Sequence, residues 1–432
     1  MMENIDFRTG ISASLSRTMQ AALTEIPYGV YARSRRTTIT SPMHSQSLPR
    51  TVARNRGRWL VDAEPIEIEA PTRTSAPEFN PRQWLSSGNP CLSKLITEAI
   101  GDRWMTHLED LQQLAPIADD PLFQSQWRAV KQVNKQAFAN DLYRTQGINI
   151  NVNSLFDLQL QPICGHQRQL LNILHIIALF DRIKQHPEID ILPRTFIFGN
   201  LGELPAIAID PTAEAENWLL PSSDYHWDRG AEELTVANEN RAILALIQSL
   251  AKVLAADPDV NGKLQVVYVP ESAGLTSQMY AAADLTQQIA TAAMEDIDLS
   301  SLKATVNGVL SIGSLGKTNY WIQQTVGEQN CFRFGLAIPE IALFKEYGYD
   351  PYNYYKYYPQ VRRAIDYLLA GYFTPYDSTL GRSIVDLLLG ADEDMVLADY
   401  IFYAACQAHV SETYRQTSLW TQMSILNVAG VR

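Results

Sequence analysis

Apolar residues recur at spacings of three and four along "NPRQWLSSGNPCLSKLITEAIG" and "DPLFQSQWRAVKQVNKQAFANDLYRTQG", the pattern of helices that bury one face. Asp120 stands just ahead of the second run, where a carboxylate accepts from the first free N–H groups of a helix. Downstream the period changes. Short β-rich runs, "SLFDLQLQPI", "RTFIFG", "LQVVYVP", "DLTQQIA" and "VLSIG", alternate with amphipathic stretches "RQLLNILHIIALFDRIKQ", "RAILALIQSLAKVLAA" and one around Lys303. Strand and helix in alternation imply right-handed crossovers, so the predicted fold is α/β: a Rossmann-like parallel sheet covered by helices. After "CFRFGLA" the pattern becomes a Tyr-rich, helical C-terminal tail.

Residues 1–78 lack this patterning and read as a flexible Arg-rich arm, with one amphipathic helix around Leu15 to Leu23. Between Pro27 and Leu60 stand seven arginines, Arg33, Arg35, Arg36, Arg50, Arg54, Arg56 and Arg58, with no lysine and no acid. Residues 201–239 are the converse, an acidic insertion in which Glu203, Asp210, Glu214, Glu216, Asp224, Asp228, Glu232 and Glu233 face only Arg229. Opposite signs in one chain predict that the arm docks on the insertion, within one protomer or across two, or holds an acidic partner; two independently solvated segments are the plainer alternative. The net charge of −12 argues against nucleic-acid binding. No apolar run approaches the ~20 residues of a membrane span, and the N-terminus lacks a secretory pattern, so the expected location is cytoplasmic. The composition of the arm leaves organelle targeting open, against which Glu3 and Asp6 weigh. Cys91, Cys164, Cys331 and Cys406 form no CxxC pair, so neither a zinc site nor a disulfide framework is expected.

Ligands of a parallel α/β sheet gather at the carboxyl ends of its strands. After "VLSIG", "SLGKTN" approaches a phosphate-binding loop, but the pattern needs glycine where Ser311 sits inside the strand, and no helix-opening loop is expected there. No strand is followed by G-x-G-x-x-G. His175 lies on an apolar helix and reads as a core residue; His166 sits at a strand-to-helix turn beside Arg168. Neither metal-ligand spacing nor a G-x-S-x-G nucleophile motif is present.

From Phe79 to Arg432 the chain resembles the C-terminal half of the glycogen (α-glucan) phosphorylases, pyridoxal-phosphate enzymes with two Rossmann-like domains facing across a cleft. The resemblance rests on ordered blocks: "PRQWLSSGNPCLSKLI", "VKQVNKQAF", "SLFDLQLQPI" with "RQLLNILHII", "PRTFIFG", "AADLTQQIATA", "LKATVNGVLSIGS", "FRFGL", "YGYDPYNYY…RRAIDYLLAGYFTP" and "LADYIFYAACQAHV". It implies one C-terminal-type domain of a GT-B fold over residues 79–432. It also places Lys303 on the family's cofactor lysine and Glu295 on an acid that helps hold the sugar.

The positions around them depart from the family pattern. Two glycines that bring backbone N–H groups to the cofactor phosphate read Asp298 and Ser300. A carboxylate ~4 Å from a phosphate repels it by about 4 kcal/mol per unit charge at an effective dielectric of ~20. In the block that supplies phosphate-holding cations, Gln161 to Gln169, three of four cationic positions are lost and Arg168 remains. A further lysine is lost after "TFIFG", and an arginine after "VVYVP", most simply to Ala273.

Each lost donor costs ~3 kcal/mol or more of transition-state stabilisation. The resulting expectation is a non-catalytic phosphorylase-like protein, with Lys303, Glu295 and Arg168 as remnants, no catalytic residues, no metal and no cofactor. Its role would be binding, scaffolding or regulation in glucan metabolism, with a phosphorylase-family or other glucan-metabolism protein as partner, or by self-association. The alternative is an α-glucan phosphorylase or glycosyltransferase that requires pyridoxal phosphate at Lys303 and a partner chain. The plainer reading of Lys303 is a surface or helix-capping lysine. The tyrosines from Tyr347 to Tyr358 are read as core packing rather than a sugar-stacking platform.

Overall fold

The computed structural model describes residues 80–199, 236–270, 273–293, 299–375 and 377–431. The arm with its Leu15 to Leu23 helix, most of the acidic insertion, Glu295 and Asp298 lie outside the described residues. Three helices lead in: α1 (Pro81–Gly88), α2 (Pro90–Ile100) and α3 (Pro121–Gln146). Asp120 caps α3 as its position predicts, its Oδ1 accepting from Leu122 N at 2.7 Å and Phe123 N at 2.9 Å.

The alternating region follows as β1 (Leu155–Leu160), α4 (Gln169–Gln185), β2 (Arg194–Gly199), α5 (Val236–Ala256), β3 (Leu264–Val269), α6 (Ala273–Ala282), β4 (Leu285–Gln288), α7 (Leu299–Thr305), β5 (Leu310–Gly313), α8 (Lys317–Val326) and β6 (Phe332–Arg333). The strands run parallel in the order β3-β2-β1-β4-β5-β6, with Leu158 opposite Ile197 on one side and Thr286 on the other. The helical tail comprises α9 (Ile338–Tyr347), α10 (Pro351–Tyr357), α11 (Pro359–Leu369), α12 (Ser378–Gly390), α13 (Val396–Arg415) and α14 (Thr417–Gly430).

Each face of the sheet has its own core. On one side Phe156, Leu158 and Leu160 of β1 meet Phe138 and Leu142 of α3 and Met279 and Tyr280 of α6. On the other, α4, α5 and the tail helices pack together through Leu174, Phe180, Leu250, Ile365 and Leu397. The alternation in "LFDLQL" would normally mark a strand with one wet face, yet every residue of β1 is buried. Its polar positions are satisfied internally: Asp157 accepts from Gln287 Nε2 at 2.6 Å and pairs with Arg194 at 3.2 Å, and Gln159 accepts from Asn172 Nδ2 at 3.0 Å. His175 lies in this layer, edge-on to Phe196 and Tyr403. Burial, aided by Arg194, holds it down to about 3, so it stays neutral as a core residue.

In the tail, α12 lies close against α11 at Gly381, where a Cβ would lie 2.1 Å from the carbonyl oxygen of Leu368. Ala normally improves a helix over Gly by ~0.5–1 kcal/mol. Here the clash is with backbone and decides the sign, so Gly381→Ala is expected to destabilise by about 1–3 kcal/mol, read as a lower urea midpoint at unchanged slope.

Candidate functional site

The strand order reverses between β1 and β4, and sheets of this kind take ligands in the crevice outside the carboxyl ends at that switch point. From β1 the chain makes a tight turn at Gly165–Gln167 and enters α4 through Arg168, whose backbone is left-handed at φ 52 and ψ 40. That conformation costs a side-chain-bearing residue ~1–2 kcal/mol. The contacts it permits offset the cost. The Arg168 side chain is buried, donating through Nε to Ile289 O and through Nη1 to Asp399 Oδ2, each at 2.6 Å. Asp399 Oδ1 in turn accepts from Leu336 N at 2.8 Å. One ion pair therefore ties the β1–α4, β4–α7 and β6–α9 connections to the first turn of α13, and Arg168 lies in the floor of the crevice.

The mouth is acidic. A Cβ on Gly165 would lie 2.4 Å from Glu239 Oε1 and 2.7 Å from Asp394 Oδ2, so two carboxyl groups press on the turn. Burial raises both above the usual carboxylate range, with Asp394 adding to the rise at Glu239 and Glu393 adding at both. Cys164 Sγ lies 3.4 and 3.5 Å from the two ring nitrogens of His166, but burial, with Asp394 and Glu239, raises the thiol, so this is no activated nucleophile. Gln161 donates to Gln287 O at 2.7 Å and to Gln288 Oε1 at 3.1 Å, while its own Oε1 is buried without a donor.

Lys303 stands in the last turn of α7, half-buried, with its ammonium 4.9 Å from the centre of the Trp84 ring on α1. Its carbonyl accepts from Asn307 Nδ2 at 2.8 Å, and Asn307 Oδ1 accepts from Asn89 at 2.9 Å, which fixes the end of α7. The structure thus gathers Arg168, Gln161, Cys164 and His166 around the β1–α4 turn, and among the described residues Lys303 meets Trp84 and Asn307. Missed in the sequence were Asp399, Glu239 and Asp394, the groups that set the charge there.

Two expectations are corrected. A helix does open after "SLG": α8 begins at Lys317 behind Gly316, while Asn319 folds over Gly313 and donates to Gln288 O at 2.8 Å. The tyrosines also divide. Tyr354 and Tyr358 stack on each other at 5.6 Å and pack against the core, and Tyr349 bonds Asp392 at 2.5 Å, whereas Tyr347, Tyr352 and Tyr357 are exposed. Among the described residues no group of three or more His, Cys, Asp or Glu is placed to hold a metal.

A carbohydrate phosphorylase family profile matches residues 74–204 and 234–432. The chain belongs to the carbohydrate phosphorylase family. It is 36% identical over 350 residues to the glycogen phosphorylase of Synechocystis sp.. It is 32% identical over 388 residues to the muscle form of Oryctolagus cuniculus, and 30% identical over 388 to the brain form of Ovis aries. These alignments cover 81%, 90% and 90% of this chain but only 38%, 41% and 41% of the relatives, so the chain spans about two fifths of their length.

The family resemblance implies pyridoxal phosphate at Lys303, and the phosphate end of that site tests the fit. The positions assigned to it offer Gln161, whose unpartnered Oε1 would meet phosphate oxygen as acceptor against acceptor, and Arg168, whose guanidinium is held by Asp399. Ser300 is buried with its Oγ 3.5 Å from Gln288 Nε2. The described residues do not fit a phosphate dianion.

Proposed function

We propose that this phosphorylase-family chain is non-catalytic and serves in binding, scaffolding or regulation within glucan metabolism. Its partner in this reading is a phosphorylase-family or other glucan-metabolism protein, or a second copy of itself, met in the cytoplasm without bound pyridoxal phosphate. The observation that carries the reading is Arg168: the one cation kept in the phosphate-holding block is buried in an ion pair with Asp399, under a mouth lined by Glu239 and Asp394. Phosphoryl chemistry depends on cations free to clamp a dianion.

The test supplies the purified chain with an α-glucan, inorganic phosphate and pyridoxal phosphate. No sugar phosphate above background is expected, and no imine absorbance that disappears in Lys303→Ala. Turnover by the chain alone would overturn the proposal. Turnover only after addition of a phosphorylase N-terminal half would favour the partner-completed enzyme instead.

A further inference from the structure

A second candidate site lies at the opposite end of the strands from the crevice, independent of the reading above. Ser154, Asp284 and Gly308 stand at the amino ends of β1, β4 and β5, and α3, α13 and α14 leave a cavity of about 180 Å³ beside Asp284 and Gly308. Its walls include the rings of Trp127, Trp420 and Tyr414, and its polar lining includes Arg128, Lys131, Lys135 and Asp284.

The charges there do not balance. Lys135 Nζ lies 2.5 Å from Asp284 Oδ2 and donates to Ser154 O at 2.8 Å. Lys131 Nζ is held by carbonyl oxygens alone, Ala281 at 3.1 Å, Ala283 at 2.6 Å and Asn307 at 3.4 Å. Among the described residues no carboxylate lies within ion-pair distance of it. Two ammonium groups therefore share one carboxylate, and Arg128 adds a third cation, hydrogen-bonded to Thr421 Oγ1 at 3.4 Å. Buried charge is stable when paired. Burial is the chief reason that Lys131 falls from the ordinary 10.5 to about 8, with Lys135 also lowering it and Asp284 opposing.

A cavity of ~150 Å³ with apolar walls accommodates benzene, so the space here suits one flat ring with an acidic group. We propose that this cavity binds a small planar carboxylate, its ring against the tryptophans and its anionic end on Arg128 and on the Lys131 N–H that otherwise makes the long 3.4 Å contact to Asn307 O. The ionisable groups facing Lys131 are Lys135 and Arg128 on its own helix, Asp284 ahead of β4 and Tyr414 on α13. Tyr414 is raised above its ordinary value by burial and Asp284, so it stays protonated. The bound anion favours the charged form of Lys131. Binding then takes up a proton above pH 8 and weakens as Lys131 loses its charge.

The test titrates the full chain with sodium benzoate, with sodium chloride at equal ionic strength and with benzyl alcohol, following tryptophan fluorescence and calorimetry. Saturable binding is expected for benzoate alone, weaker at pH 9.5 than at pH 7. Lys131→Met should weaken it about tenfold or more and remove the pH dependence, since a charge-assisted hydrogen bond is lost. Arg128→Gln, at the partly exposed edge, should weaken it several-fold and provides the reading if Lys131→Met does not fold. Benzoate behaving as chloride or as benzyl alcohol, or unchanged affinity in the folded variants, would overturn the assignment.

Discussion

Replacing Arg168 with methionine is expected to lower the unfolding free energy by about 3–5 kcal/mol, because it leaves the Asp399 carboxylate buried without its cation. The side chains of the pair are 0% and 2% exposed and 2.6 Å apart, so solvent cannot take over the charge. Asp399 would keep its bond from Leu336 N, but a single hydrogen bond contributes only ~1 kcal/mol. The left-handed backbone at 168 adds to the loss, since methionine incurs that strain without the contacts that justify it. Removing both charges should be milder than removing one: Arg168→Met with Asp399→Leu leaves no orphaned ion. Urea unfolding of the four members of this cycle measures the coupling. A single variant within ~1 kcal/mol of the parent, or a double variant as unstable as the sum, would show that the pair does not hold the crevice floor.

That ion pair also marks the limit of what the sequence discloses. Asp120 announces the cap of α3 because its acceptors are its neighbours, and the strand runs announce the sheet because period and packing are local properties. Arg168 and Asp399 are 231 residues apart, and nothing within reach of Arg168 in sequence says that its guanidinium points down rather than toward a ligand. The same holds at the mouth, where Glu239 and Asp394 meet over Gly165 from α5 and the approach to α13. In β1, "FDLQL" shows a polar face but not what satisfies it, and the partners Arg194, Asn172 and Gln287 come from β2, α4 and β4. α8 escaped because Ile322 and Val326 carry nearly all of its buried apolar signal. The tyrosine-rich stretch looks like one feature in the sequence, although neighbouring positions on a short helix face opposite environments.

The amino-end cavity gives the second large effect. Asp284→Asn keeps the size of the side chain and an oxygen able to accept from Phe156 N, now at 2.8 Å, but removes the only carboxylate that, among the described residues, lines a cavity also holding Lys131, Lys135 and Arg128. With the buried Lys135 ammonium left unpaired beside the part-buried Lys131, a loss of about 3–5 kcal/mol is expected at pH 7, several times the contribution of one neutral hydrogen bond. The pH dependence has a definite sign. Lys131 binds its proton less tightly in the folded chain, about 8 against 10.5, so between these values the unfolded state holds more protons and stability rises with pH. Loss of Asp284 removes the main influence opposing that shift, so the variant's deficit should shrink between pH 7 and pH 10 as Lys131 discharges. Benzoate should also recover more stability in Asp284→Asn than in the parent, because it restores a negative charge where two cations lack one. Denaturant midpoints at both pH values, with and without benzoate, measure this directly. A deficit that is the same at pH 7 and pH 10 and indifferent to benzoate would mean that Asp284 acts by holding the Phe156 N–H and the β1 register, not by balancing charge.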